Sequence, residues 1–235
     1  MSIKAVPKTI GIHQPNYLPW LGYFYKIYQS DIFIFLDDAQ YSNEGMHNYT
    51  YIKTANGLFR LKFPVQQSLG DKINDVRAKD DLGWKEKHLS IIETSYNNAK
   101  HFDVVFNDYR QIIMRDFSNI VDLNIAFIKF FSGKLGLGTE FNKSSSLNIH
   151  LLKSEKIIAI CKALGGDVYY SGTGAKAYQN EEDFRASGIE LRYSIFRPFQ
   201  YPQLWEGSQS NVTALDFFMN CGYDWEQVLN NQDQK

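Results

Sequence analysis

Two short polar clusters, His13-Gln14-Pro15-Asn16 and Asp37-Asp38-Ala39-Gln40, each follow an apolar run in this chain. Imidazole titrates near neutral pH, so His13 is suited to take a proton from an ammonium nucleophile. The Gln14 and Asn16 amides beside it, with the Tyr17 hydroxyl, can hold a polar ligand. Asp37 can orient an amine and Gln40 can add a further amide. Adjacent strand residues face opposite ways, so one of Asp37 and Asp38 enters a site, not both as a metal pair. A third cluster, Ser171-Gly172-Thr173-Gly174, has the small residues and hydroxyls of an anion-binding nest. Between the first two, Pro19-Trp20-Leu21-Gly22-Tyr23 opens a helix whose free N–H groups suit a phosphate, with Gly22 permitting close approach. Plainer readings stand beside these: His13 and Asn16 satisfy the backbone of a proline-rich loop, and the S-G-T-G segment is a turn.

The elements that must position these residues follow from hydrophobic spacing. Ile10 to Ile12 is short and β-branched, as a buried parallel strand is. Two prolines, Pro15 and Pro19, delay a helix until about Trp20. Trp20, Tyr23 or Phe24, and Ile27 then recur at helical spacing, and IFIFL after Asp31 is a second strand. Strand, crossover and strand of this length make a parallel pair. Ligands of such units bind beyond the carboxyl ends of the strands, where His13–Asn16 and Asp37–Gln40 both fall.

Further along, residues 58–65 alternate as a half-exposed strand after the Asn56-Gly57 turn, and residues 66–83 read as a long loop. Trp84, His88, Ile91, Ile92 and Ser95 share one helical face. His88 on that face reads as a core or interface histidine. Another helical pattern runs from Phe106 to Phe131 with a break near Ser118-Asn119. The α/β pattern returns after residue 153. Ser154 is expected as an N-cap, residues 167–170 as a strand, Ala175 to Phe184 as helical, and residues 189–196 as a strand. A helix over Thr213 to Cys221 is stopped by Gly222. The expected fold is α/β: a mostly parallel Rossmann-like sheet assembled from the N- and C-terminal segments, with a central helical insertion over about 84–138 in a single 1–235 domain.

Composition excludes several classes. Hydrophobic residues make up 44% of the 235, too many for a disordered chain. The net charge is −1 with no Lys/Arg run, which argues against a dedicated DNA-binding surface. The two cysteines, Cys161 and Cys221, have neither metal-ligand nor disulfide spacing. No metal motif is present, and no apolar stretch approaches a membrane span. MSIKAVPKTI carries no signal-peptide pattern, so a reducing cytoplasm is the expected location. Fifteen percent aromatic content, with 15 Tyr, suits a polar-ligand site or an interface, including one between copies of the chain.

HQPNYLPWLGYFYK, DIFIFLDDAQ, the spacing of Trp84, His88, Ile92 and Tyr96, YYSGTGAKAY, and the Tyr201-Pro202-Gln203 tail together resemble the WbqC-like proteins of bacteria. The similarity spans almost the whole chain. Members commonly sit in gene clusters for O-antigen and other surface polysaccharides. The resemblance therefore implies acyl or aminoacyl transfer, for instance glycyl, to the amine of a nucleotide-linked amino sugar. It implies an N-acyltransferase or acid–amine ligase with an activated acyl donor: a thioester, a free acid with ATP, or a charged tRNA. On this reading His13 and Asp37 are catalytic. Gln14, Asn16, Tyr17, Trp20, Gly22, Gln40, Ser171, Gly172, Thr173, Tyr178 and Gln203 bind substrate. The alternative is a non-catalytic sugar-nucleotide binding or assembly protein of the same pathway. One departure from the family pattern is that no Arg stands near Asn48–Tyr51.

Overall fold

The structure, a computed structural model, describes residues 6–233. β1 (Thr9–His13), α1 (Leu21–Tyr28) and β2 (Ile32–Phe35) come first. The hairpin strands β3 (Tyr49–Thr54) and β4 (Gly57–Lys62) follow, then the short strands β5 (Val65–Gln66) and β6 (Arg77–Ala78). Next come α2 (Trp84–Tyr96), α3 (Phe102–Ile113) and α4 (Ile120–Lys134). β7 (Glu140–Lys143), α5 (Lys153–Ala163), β8 (Val168–Gly172), α6 (Glu181–Ala186) and β9 (Glu190–Ser194) restore the α/β pattern. The last elements are α7 (Ala214–Cys221) and α8 (Trp225–Asp233). Contacts divide the chain into two compact units. One holds the described residues through Gln14 with Tyr25–Asp38 and Leu137–Phe196; the other holds Pro15–Phe24, Ala39–Gly136 and the residues from Arg197 on.

The first unit is α/β. Its five-stranded sheet has the order β7-β2-β1-β8-β9, with every neighbouring pair parallel. In order of appearance within the sheet this reads 3-2-1-4-5, the order of doubly wound folds. β1 and β2 are adjacent and parallel, in register from Ile10↔Ile32 to His13↔Phe35. The sheet is thus assembled from the N-terminal segment and from residues 140–194. Burial of both faces explains the unbroken apolar runs. On one face Ile10, Ile12, Ile32, Ile34 and Tyr169 pack against Ile160 and Cys161 of α5 and Phe184 of α6.

Gly11 is fixed by the opposite face, where a Cβ would stand 2.2 Å from Ser30 Oγ and 2.9 Å from the Phe33 ring. Ser30 cannot turn away freely, because its hydroxyl donates to Lys26 O at 2.8 Å. Gly11→Ala is expected to cost about 1–3 kcal/mol by overpacking. Urea unfolding checks this; an unchanged midpoint would mean that the contact relaxes without cost.

The second unit carries the β3–β4 antiparallel hairpin and α2, α3, α4, α7 and α8. Gly57 opens β4 with φ +95°, a conformation that suits glycine. The strand expected over 58–65 breaks at Pro64, which has no N–H for a ladder, into β4 and β5. The expected loop 66–83 contains the β5–β6 pair and two 3-10 turns, Ile73–Asp75 and Asp80–Leu82. α2 runs as its spacing predicts. Asn119 caps α4 by accepting from Asp122 N at 2.9 Å, at the expected break. Thr213 caps α7, which ends at Gly222 with φ +76°.

Two local expectations are corrected. Ser154 is not an N-cap: α5 starts at Lys153, so Ser154 lies inside its first turn. The helix expected over Ala175 to Phe184 is a 3-10 turn, Thr173–Tyr178, followed by the separate α6, which Asn180 caps by accepting from Glu182 N. Among the described residues, no helix is long and apolar enough to cross a membrane.

Candidate functional site

All five strands of the parallel sheet end on one edge, with Lys143, Phe35, His13, Gly172 and Ser194 as their last residues. In a 3-2-1-4-5 order the connections leave β1 toward opposite sides, and it is at such a switch point, here between β1 and β8, that doubly wound sheets place their ligand crevice. The registers locate it. β1–β8 pairing stops at Gly11↔Tyr170, whereas β1–β2 pairing continues to His13↔Phe35 and β8–β9 to Gly172↔Ser194. His13 therefore stands on one side of the divergence, and Ser171 and Gly172 on the other.

His13 is half-buried, and Gln14 beside it likewise. His13 Nδ1 lies 3.0 Å from the Gln14 carbonyl oxygen. A carbonyl only accepts, so Nδ1 carries a proton, and in the neutral ring Nε2 is then the accepting nitrogen. The His13 carbonyl accepts from Leu36 N at 2.8 Å, which ties the end of β1 to β2.

Lys26, which sequence reasoning passed over, belongs to the same unit. Its side chain is buried, and Nζ donates to Ile12 O at 2.6 Å. Burial alone lowers its pKa from 10.5 to about 7. The signal was present in the sequence: Lys26 sits three residues after Tyr23, on the apolar stripe of α1.

This lysine makes stability pH-dependent in a stated direction. Below about pH 7 the folded chain bears the full cost of a buried ammonium; above the ordinary lysine value it bears none. In between, the unfolded chain binds the extra proton, so stability rises with pH. From pH 7 to 9 the gain is expected to be about 1–3 kcal/mol, and Lys26→Met is expected to abolish it. Urea midpoints of both proteins at the two pH values check this; equal rises would assign the effect to another group.

Asp37 and Asp38 are occupied by a turn. Asp37 Oδ1 accepts from Ser144 Oγ at 3.1 Å and Ser145 N at 3.0 Å, and its Oδ2 accepts from Ser145 Oγ at 2.6 Å. Asp38 accepts from Ser144 Oγ and from Lys156 Nζ, each at 2.5 Å. Burial pushes the Asp38 carboxyl up, but the Lys156 and Ser144 hydrogen bonds and the Lys156 charge hold it below the usual carboxylate range. Ser144–Leu147 is thus a 3-10 turn clamped to the end of β2 by these carboxylates.

Ser171 is buried and its hydroxyl donates to Gln179 Oε1 at 3.1 Å, while Gln179 Nε2 donates to Tyr169 Oη at 3.1 Å. Neither Gly172 nor Gly174 takes the left-handed backbone with which a nest alternates. What this segment presents at the edge is exposed Thr173 and the start of a 3-10 turn. The side chain of Tyr178 lies outside the described residues.

The remaining candidates belong to the second unit. Asn16 and Gly22 are buried, and Trp20 meets Tyr23 edge to face with ring centroids 5.8 Å apart. Tyr17 is a core anchor: its hydroxyl lies 3.0 Å from His88 Nδ1 and 3.2 Å from Tyr109 Oη. Burial lowers the His88 pKa to about 4, so its ring is neutral. The loop carrying Asn16 is held by Tyr17 N, which donates to Met46 O at 2.9 Å, and by Asn124 Nδ2, which donates to Pro15 O at 2.9 Å and His47 O at 2.8 Å. Leu18 (φ +41°) and Met46 (φ +55°) both take strained left-handed backbone there. Gln40 is exposed and forms an antiparallel bridge with Lys72. Gln203 is consumed internally: its Nε2 donates to Asp216 Oδ1 at 2.8 Å and Gln209 O at 2.9 Å, and its Oε1 accepts from Gln209 N at 2.9 Å.

The structure thus places His13, Gln14, Asp37, Ser171, Gly172 and Thr173 in the parallel-sheet unit, and Asn16, Tyr17, Trp20, Gly22, Gln40 and Gln203 in the other. Among the described residues, no three His, Cys, Asp or Glu side chains gather as a metal ion requires.

Comparison with known proteins adds a family. The sequence pattern of the WbqC-like protein family matches residues 14–227. The chain is 30% identical over 226 residues to a Mycobacterium tuberculosis (strain ATCC 25618 / H37Rv) protein named "Uncharacterized protein Rv1507c", which covers 94% of this chain and 97% of the relative. No solved structure matches the chain.

Proposed function

Because the chain belongs to the WbqC-like protein family, we propose that it transfers an acyl or aminoacyl group to the amine of a nucleotide-linked amino sugar in bacterial surface-polysaccharide synthesis. The observation that carries this reading is the divergence of β1 and β8, with His13 on one side and Ser171–Thr173 on the other. It is the place where doubly wound sheets hold nucleotides. The sugar amine attacks the carbonyl carbon of an activated donor. His13 Nε2 takes the proton lost from nitrogen as the C–N bond forms, and the donor's thiolate, phosphate-bearing or alkoxide leaving group departs. The Nδ1–H bond to Gln14 O fixes the tautomer in which the neutral ring carries its lone pair on Nε2. Asp37 positions rather than reacts, by holding the Ser144–Ser145 turn at the same edge. Thr173 and the Gln14 amide supply polar contacts to the ligand.

The test is turnover. The purified chain is incubated with nucleotide-linked amino sugars and, in separate reactions, a thioester, a free amino acid with ATP, or a charged tRNA. N-acylated sugar nucleotide detected by mass spectrometry supports the reading. Tight binding of the sugar nucleotide without product from any donor would favour the non-catalytic binding protein. The internal hydrogen bonds that occupy Asp37 and Ser171 are what favours that second reading.

A further inference from the structure

We propose that Lys26 is the buried cation that pairs with an anionic group of the ligand in the β1–β8 crevice, an oxygen of the diphosphate of a sugar nucleotide. This deepens the reading above and rests on it.

The argument is geometric. Successive carbonyls of a strand point to opposite neighbours. The His13 carbonyl points to β2, where Leu36 N takes it. The Ile12 carbonyl therefore points toward β8. No β8 partner pairs there, because that ladder ends at Gly11↔Tyr170. Lys26 Nζ takes the Ile12 carbonyl instead, at 2.6 Å. An amine thus occupies the gap from which the two strands diverge. Its only charge compensation is the dipole of that carbonyl: among the described residues no carboxylate forms an ion pair with it. Burying a lysine without a counter-charge is costly, and a ligand anion removes the cost. The lowered pKa of Lys26 agrees with an uncompensated site. The titratable and charged groups on the same sheet face are His13 of β1, Lys143 of β7, Tyr170 of β8, and the Glu190–Arg192 pair of β9, whose charges engage each other.

An anion in this place favours protonated Lys26, so binding above pH 7 must take up a proton. The experiment is calorimetric titration of inorganic pyrophosphate into the full chain near pH 8, in two buffers of different ionisation enthalpy. The wild type is expected to take up close to one proton more per ligand than Lys26→Met. Lys26→Met is expected to bind roughly 10–100-fold more weakly. Lys26→Arg is expected to restore affinity without restoring the proton uptake. The wild-type affinity should also fall as pH rises from about 7 to 9, a readout that needs no variant. Equal affinity and equal proton stoichiometry in Lys26→Met overturn the proposal while leaving an anion site at the crevice in place. A wild type that does not bind pyrophosphate at millimolar concentration overturns it as well. The acyl-transfer reading is judged separately, by product formation.

Discussion

His13→Gln lowers turnover by about 10²–10⁴ and leaves sugar-nucleotide affinity nearly unchanged, if His13 is the base of the proposed transfer. Glutamine keeps a hydrogen-bonding group of similar reach, so the bond to the Gln14 carbonyl can be replaced by an amide N–H. It cannot accept a proton at neutral pH. The loss therefore falls on the chemical step. The competing outcome follows from the same geometry. The Nδ1–H bond to Gln14 O closes the end of β1 onto its own loop. Were that the whole role of His13, the variant would lose thermal stability and ligand affinity together with rate. Steady-state kinetics, calorimetric affinity and thermal unfolding on one preparation separate the two. Full activity with normal stability would remove His13 from the mechanism.

Asp216→Ala is expected to destabilise the second unit by about 3–5 kcal/mol. Asp216 is buried on α7. Its Oδ2 accepts from Tyr96 Oη at 2.8 Å, and its Oδ1 accepts from Tyr201 Oη at 2.9 Å and Gln203 Nε2 at 2.8 Å. Burial pushes its pKa above the usual carboxylate value, against these three donors and the Lys53 charge, which pull it down. Alanine leaves the buried Tyr96 hydroxyl and the half-buried Tyr201 hydroxyl without this acceptor and removes one of the bonds of Gln203 Nε2. It also releases the segment that Gln203 holds through Gln209. Lys53 Nζ, which donates to the Trp205 and Gly207 carbonyls, and Trp205 Nε1, which donates to Ser95 O at 3.1 Å, are left to hold that segment. Asp216→Asn keeps one acceptor oxygen and should lose roughly half as much. All four tryptophans, Trp20, Trp84, Trp205 and Trp225, belong to the second unit, so tryptophan fluorescence during urea unfolding reports on it directly. A shift below about 1 kcal/mol would mean that water replaces the carboxylate at little cost. Within the Tyr201-Pro202-Gln203 motif, expected to meet substrate through Gln203, Tyr201 and Gln203 both bond to Asp216.

The sequence by itself determined the first crossover, most of the longer helices, and the parallel pairing of β1 with β2. Two β-branched or aromatic runs flanking a proline loop and a helix leave a right-handed parallel crossover as the economical solution, and β1, α1 and β2 form one. It also determined that His13 and Asp37 follow strand ends, because strand ends are local. The caps at Asn119 and Thr213 were legible as a break and a start for the same reason: each involves residues two or three apart. Only the tertiary structure decided which strands flank that pair. β7 sits beside β2 although it begins 105 residues after β2 ends, and EFNK carries no alternation by which to recognise it. It likewise decided what the polar side chains do. Asp37 meets Ser145, and Gln203 meets Asp216, across separations of 108 and 13 residues that composition does not encode. Lys26 is the clearest case. Its place on the apolar stripe of α1 was in the sequence, but its meaning depends on a ladder that ends one residue short of Ile12. Hydrogen-bond satisfaction is a property of the assembled sheet: a carbonyl is left for a lysine only where the next strand has already turned away.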